Sequence, residues 1–485
     1  MTAQLVQARF LQGNNANISS VVGNTYKVAL LEPVGAGNCL VLLLTFINSV
    51  TVSTISDNIN GSWSTTAAQT CLGVNNNTNF YLFPNAGAGV TTITIVFSAD
   101  VQGQPFTIME WSGIATSSPA NGGHSNPSQN YNGTTAVSTG TFTPTSDNTA
   151  NGGNLILAGF YLDPFAATSN PTSFVASAGF TLLHADIGWV NNGGLPKAAS
   201  YQVLASQTSV NPAMTPTGDT NAADTYNCVA LALKLSPAAG TPPSSKMRVV
   251  SEQFHMVTTG GAAFGWKNQI TVTGNLLVLT TFHHQYTSIT DSDGNTWTSV
   301  PSDATPPNEA SAEIWYATVT PNPSLVVTAN VVSTQNVPMA RFYDVANAKS
   351  SNVLGAHGFT TTHANGATQD HSPDITPTTM DAIVIIMAED GNGPVLAITN
   401  PANAVLDQVP YTSTLNQDSA TYDSGNGWAH FRVTQAMVGV SQNVTWTITG
   451  TTFAVTTLAA EFLPAPATTP SAVLFGVLGL ASNEW

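Results

Sequence analysis

GNCLVLLLTF (37–46) and GNLLVLTTF (274–282) are two versions of one apolar strand, each entered through Gly-Asn. Working outward from this pair, further matches follow in the same order. TISDNINGSW (54–63) answers SITDSDGNTW (288–297), and NFYLF (79–83) answers EIWYA (313–317). IMEWSGIA (108–115) is set against MARFYDVA (339–346), which places Glu110 opposite Arg341. FTPT (142–145) and the strand NLILAGF answer ITPT (375–378) and AIVIIMA. ASYQVLAS (199–206) is matched to AHFRVTQA (429–436), and VALALKLSP (229–237) to TTLAAEFLP (456–464). The chain is therefore read as an internal duplication, the first thing to establish before any finer structure.

Both copies read as strands. Short runs rich in Val, Ile, Thr, Phe and Tyr are punctuated by Asn, Gly, Pro and Asp. TTITIVFS (91–98) and SLVVTANV (324–331) alternate with period two, as half-buried strands do. Neither copy sustains a helical period. The expected fold is all-β: two tandem β-sandwich domains, jelly-roll or immunoglobulin-like, with a short C-terminal tail. The boundaries fall at 1–236 for the first sandwich, 237–246 for a linker, 247–464 for the second sandwich and 465–485 for a second linker and the tail. SPAAGTPPSSK and LPAPATTPS set these limits by their Pro, Gly and Ser content. The last strand of each copy, VALALKL and TTLAAEF, is almost continuously small and apolar and is expected to lie inside its sheet.

Only 7% of the 485 residues are charged, with 10 Lys and Arg against 26 Asp and Glu, a net charge of −16. So few cations cannot neutralise a run of phosphates, which excludes nucleic acid as a partner and disfavours an anionic membrane surface. No stretch reaches the length of a membrane helix. The N-terminal MTAQLVQARFLQGNN has neither a basic start nor an apolar core, so no secretory signal is read there. The low-Lys, Thr- and Asn-rich surface is that of a protein working outside cells. Three cysteines are present, an odd number. Cys39 and Cys228 sit in apolar runs and read as buried, inert thiols.

DSDGNTW (291–297) has the look of a calcium loop, with Asp291, Asp293 and Asn295 as oxygen donors. Its counterpart DNINGSW (57–63) keeps the first Asp, an Asn/Gly turn and the Trp, but has Ile59 where Asp293 stands. What the copies share is turn chemistry, because Asn and Gly tolerate positive φ and Asp caps the turn. A calcium site confined to the second copy is the alternative; no other cofactor is expected.

These pieces, SITDSDGNTW, the aromatic pairs of NFYLF and EIWYA, and MEWSGIA, resemble a module of phage virion proteins and bacterial surface proteins. The second copy departs from it at RFYDVA. The resemblance implies a β-sandwich used for display, adhesion or assembly, and it carries no catalytic residues over.

The remaining chemistry is sparse. AHGFTTTHANGATQDHS holds His357, His363, Asp370 and His371 at spacings that match no zinc motif. Glu110, Asp163, Asp186, Glu313, Glu389 and Asp390 are the carboxylates that a glycosidase pair would draw on, and none is preserved as a pair between copies. Among the tryptophans, Trp189 lies among turn residues and is the candidate for stacking on a sugar. The tail AVLFGVLGL offers Val473, Leu474, Phe475, Val477, Leu478 and Leu480 as an assembly contact. The resulting expectation is a non-enzymatic structural virion protein of a phage, displayed as head decoration, fibre or spike. Its expected partners are copies of itself and other virion proteins. The alternative is a carbohydrate-binding adhesin, a tail fibre or secreted surface protein, that engages host surface glycans.

Overall fold

A computed structural model describes residues 3–11, 22–102, 106–131, 135–162, 171, 173–186, 197–218, 225–236, 239–256, 265–282, 286–301, 313–331, 339–362, 369–390, 395–400, 403–406, 425–448 and 455–466. These form 33 strands, numbered β1–β33 along the chain, and two short 3-10 turns; no α-helix occurs among the described residues. The protein is all-β.

One ten-stranded sheet runs through both copies. Its order is β6 (Gln69–Leu72), β7 (Asn76–Phe83), β3 (Cys39–Ile47), β9 (Phe106–Ser112), β1 (Gln4–Leu11), β18 (Arg248–Met256), β25 (Met339–Ala346), β20 (Leu276–Phe282), β23 (Glu313–Thr318), β22 (Thr298–Ser299). Every pairing is antiparallel except the one at the middle, where β1 and β18 run parallel with Ala8 opposite Ser251 and Arg9 opposite Glu252. Parallel pairing of equivalent strands is what a two-fold axis along the strands produces, and that operation exchanges the two faces of the sheet.

The covering sheets obey the same exchange. In the first copy the upper face is covered by β2 (Val22–Ala29), β8 (Thr92–Gln102), β4 (Val52–Asp57), β5 (Gly61–Ser62). Leu40, Leu42, Leu44, Ile93 and Ile95 make that core. Its lower face is covered by β10 (Ala120–Asn130), β17 (Thr225–Lys234), β12 (Asn154–Leu162), β15 (Lys197–Leu204), β14 (Thr181–Asp186). There Val41, Leu43, Met109 and Trp111 meet Leu155, Leu157 and Leu231. A fourth layer, β11 (Val137–Ser138), β16 (Ala213–Thr217), β13 (Ser173–Ala176), closes the far side over Ile156, Phe160 and Met214.

In the second copy the faces are reversed. Below lie β19 (Gly265–Val272), β24 (Asn322–Val331), β21 (Tyr286–Asp291), packed on Leu277, Leu279 and Phe342. Above lie β26 (Leu354–Thr362), β33 (Val455–Phe462), β28 (Ile383–Asp390), β31 (Gly425–Arg432), β30 (Val405–Leu406), packed on Leu276, Val278 and Val345. Beyond these come β27 (Gln369–His371), β32 (Thr445–Ile448), β29 (Val395–Asn400).

Two separate tandem sandwiches are therefore not what the chain builds. Each copy is a four-layer stack, and the two stacks share their ten-stranded layer. A β-propeller would keep its four-stranded blades separate around a channel, whereas here one hydrogen-bonded ladder carries strands of both copies. The inner strands are buried on both faces, which explains why they read as unbroken apolar runs rather than alternating ones. In β3, Leu40, Leu42 and Leu44 face up while Val41 and Leu43 face down, all at 0% exposure. Each such side chain contributes about 1.5–3 kcal/mol on burial. The last strands, β17 and β33, each lie between two others inside their sheets.

The ladder also corrects the register of the duplication. Cys39 faces Trp111 and Leu276 faces Val345, so Glu110 corresponds to Asp344, and Arg341 lies three residues earlier. IMEWSGIA and MARFYDVA are thus slipped by three positions. ASYQVLAS and AHFRVTQA are slipped by one, because Leu155 pairs with Val203 and Ile383 with Arg432.

Candidate functional site at the seam between the halves

The chain has four arginines, and all four lie where the two copies meet. Arg9 on β1 pairs across the parallel ladder with Glu252 on β18, Nε to Oε2 at 2.9 Å. Arg341 on the neighbouring β25 donates through Nη1 to Oε1 of the same carboxylate. These three side chains are at most 1% exposed. Arg341 also lies 4.6 Å from the ring centre of buried Trp428, a cation–π contact across to β31. Arg432 reaches from β31 to Glu32 in the first copy at 2.6 Å. Arg248 donates to the Val6 carbonyl at 2.8 Å. Burial lowers its pKa, and Glu32 and Asp344 oppose that shift.

Two buried carboxylates flank this line at equivalent positions on opposite faces. Glu110 accepts from the Gly35 N–H at 2.9 Å, from Gln7 Nε2 at 2.6 Å and from Asn38. Burial pushes its pKa up against those hydrogen bonds. Asp344 accepts from the backbone of Thr273 at 2.8 Å and Gly274 at 2.9 Å, and burial pushes its pKa up to about 6. The cost of taking ions out of water is offset here only because each is hydrogen-bonded.

Above the line a cleft of about 590 Å³ opens between the two copies. The connection between β2 and β3 supplies one wall, through Leu31, Glu32 and Pro33; β31 and the turn before β30 supply the other, through His430, Arg432 and Asn403. His430 bonds the Leu31 carbonyl through Nε2 at 2.9 Å, and Asn403 donates to the Arg432 carbonyl at 2.7 Å. The arrangement presents donors and acceptors side by side at the floor of a partly apolar groove, the usual form of a small-ligand site.

The Asp–Trp turns are built alike in both copies. Asp57 Oδ1 accepts from the backbone N–H groups of Ile59 at 2.8 Å and Asn60 at 2.6 Å, and Oδ2 accepts from Trp63 Nε1 at 2.8 Å. Burial raises the Asp57 pKa, but the hydrogen bonds from Asn60, Trp63 and Ile59 outweigh it and hold the pKa below its ordinary value. Asp291 Oδ1 accepts from Asp293 at 3.0 Å and Asn295 at 3.1 Å, and Oδ2 from Trp297 Nε1 at 2.8 Å. Gly61 and Gly294 sit at φ of 80° and 74°, which an L side chain resists. Asp293 instead accepts from Asn322 at 2.8 Å. Both oxygens of Asp291 and one of Asp293 thus already hold N–H donors. No three His, Cys, Asp or Glu side chains are grouped for a metal among the described residues.

The other predicted residues are scattered. Trp189, His363, Asp163 and the tail residues Val473, Leu474, Phe475, Val477, Leu478 and Leu480 lie outside the described residues. His357 is exposed and bonds its own Gly355 carbonyl at 3.0 Å. Glu313 accepts from Trp315 Nε1 at 2.6 Å. Trp111 and Trp428 are fully buried. All three cysteines are buried, and burial pushes the pKa of Cys39 up to about 12. The seam itself was not anticipated. Its one sequence signal is that a carboxylate survives in both copies four residues before the bridges Ile114–Leu235 and Ala348–Pro464.

No family model matches the chain, and no curated protein matches it. What fold and site define is a class: an internally duplicated, layered all-β protein whose two copies meet across buried ion pairs.

Proposed function

We propose that this chain is a non-enzymatic structural protein of a virus particle, carried on the particle surface as a head decoration, fibre or spike. One observation supports the reading: the two copies share a continuous ten-stranded sheet, and ion pairs made by its arginines cross that join. Such a frame suits a protein whose task is to hold shape under load. In this reading 1–236 and 247–464 are the two copies, 237–246 joins them, and 465–485 reaches other virion proteins or further copies of the chain. No helix among the described residues is long and apolar enough to cross a membrane.

Immunogold electron microscopy of particles from an infected culture tests it. Label on intact particles is expected. Label confined to the soluble fraction would overturn the proposal.

The cleft at the seam favours a second reading, a carbohydrate-binding adhesin, either a tail fibre or a secreted surface protein.

A further inference from the structure

We propose that the cleft between the two copies binds a neutral carbohydrate, held by Arg432, Glu32 and Asn403. This inference rests on the adhesin reading and names its site and ligand class.

Three observations carry it. First, the fold contains two equivalent seams, and they differ. At the lower seam, β14 meets β19 directly. Gln269 spans the edge of β13, accepting from the Phe174 N–H at 2.7 Å and donating to its carbonyl at 2.9 Å. Thr271 donates to the Leu182 carbonyl at 3.0 Å. The upper seam instead encloses the cleft of about 590 Å³, which falls within the usual range of small-ligand sites.

Second, Arg432 and Glu32 have no charged counterpart at the lower seam. By the strand register, His430 and Arg432 correspond to Tyr201 and Val203, which pack on the apolar core beneath the first copy. The wall opposite is likewise particular to one copy. The connection between β2 and β3 takes residues 30–38, whereas its counterpart between β19 and β20 takes only 273–275. The extra residues are those that carry Leu31 and Glu32 across.

Third, the chemistry points to hydroxyl groups rather than to an ion. Arg432 and Glu32 form a pair 2.6 Å apart, each 20% exposed, so that the floor offers N–H donors beside carboxylate acceptors with no net charge. Neighbouring sugar hydroxyls, each both donor and acceptor, match such a pair. A chain of net charge −16 would repel an acidic glycan.

The test is a glycan array carrying neutral and acidic (sialylated or sulfated) glycans, followed by calorimetry with the bound sugar. It is run on the full chain and on Arg432→Ala and Thr91→Trp. Thr91 is an exposed residue on the rim, so the tryptophan fills the cleft while leaving Arg432, Glu32 and Asn403 in place. The expected result is binding of a neutral glycan, weakened about tenfold or more by each substitution while the melting temperature stays within about 4 °C of the parent's. If both variants bind as the parent does, the site is wrong while the adhesin reading stands. If the parent binds no glycan, both fail. Binding confined to acidic glycans would overturn the ligand class.

Discussion

Replacing Glu252 by Gln removes the one anion that the buried guanidiniums of Arg9 and Arg341 share. At 2.9 Å the Arg9–Glu252 attraction is about 6 kcal/mol gross for an effective dielectric near 20, before desolvation is subtracted. The cost of the substitution is set less by that attraction than by what remains: two cations, each 1% exposed, with their shared carboxylate gone. Breaking a buried pair in this way costs about 3–5 kcal/mol. A triple replacement, Arg9→Met with Glu252→Leu and Arg341→Met, removes all three charges together. It is expected to be neutral or stabilising, because the desolvation cost goes with the charges. The assay is urea unfolding followed by tryptophan fluorescence, since Trp428 lies against Arg341 and reports on the seam. Arg432→Ala serves as the contrast: its pair with Glu32 is 20% exposed on each side, and a loss of about 1 kcal/mol or less is expected. A Glu252→Gln variant no less stable than Arg432→Ala would refute the reasoning, as would a triple variant as unstable as the single one.

Two further predictions concern single carboxylates. Asp344 has its folded pKa raised to about 6 from 3.8, so its neutral form is the one the fold prefers. Its contribution to stability is complete below the unfolded value and is lost as pH rises through about 6, an order of roughly 3 kcal/mol. The stability of the parent relative to Asp344→Asn should therefore increase as pH is lowered from about 7 to about 4; parallel curves in paired urea titrations would reject it. At the turns, Asp57→Ala leaves the indole of Trp63, 5% exposed, and two backbone N–H groups without their acceptor. A loss of about 1–3 kcal/mol is expected by thermal unfolding. Added calcium should leave the melting temperature of the parent unchanged, because the Asp291 oxygens already accept from N–H groups; a calcium-dependent rise would support the calcium alternative.

Much of the local structure was legible because it is written in neighbouring residues. The Asp57–Trp63 turn and its partner at Asp291–Trp297 each complete their hydrogen bonds within six residues. Their recurrence is what made turn chemistry legible in both copies. The apolar runs of β3 and β28 announced strands, and the Cys39 and Cys228 runs announced buried thiols. The seam carried no such signature. Arg9 and Glu252 are 243 residues apart, and Glu32 and Arg432 are 400 apart, so no local pattern links them. The slip that set Glu110 against Arg341 arose because short apolar strands align almost equally well in several registers.

The amino-acid sequence by itself determined that the protein is all-β, that it is duplicated, and that its Asn/Gly turns are capped by Asp. These follow from side-chain period, from repetition and from short-range hydrogen bonding. Only the tertiary structure decided that the copies form one stack rather than two sandwiches. That choice rests on the edge of β1 pairing with the edge of β18. A parallel ladder is made by backbone N–H and C=O groups that every residue carries alike, so the side chains do not spell it out. The same join decided which charges would be buried, and it placed the four arginines and their carboxylates where an open cleft lies between the halves.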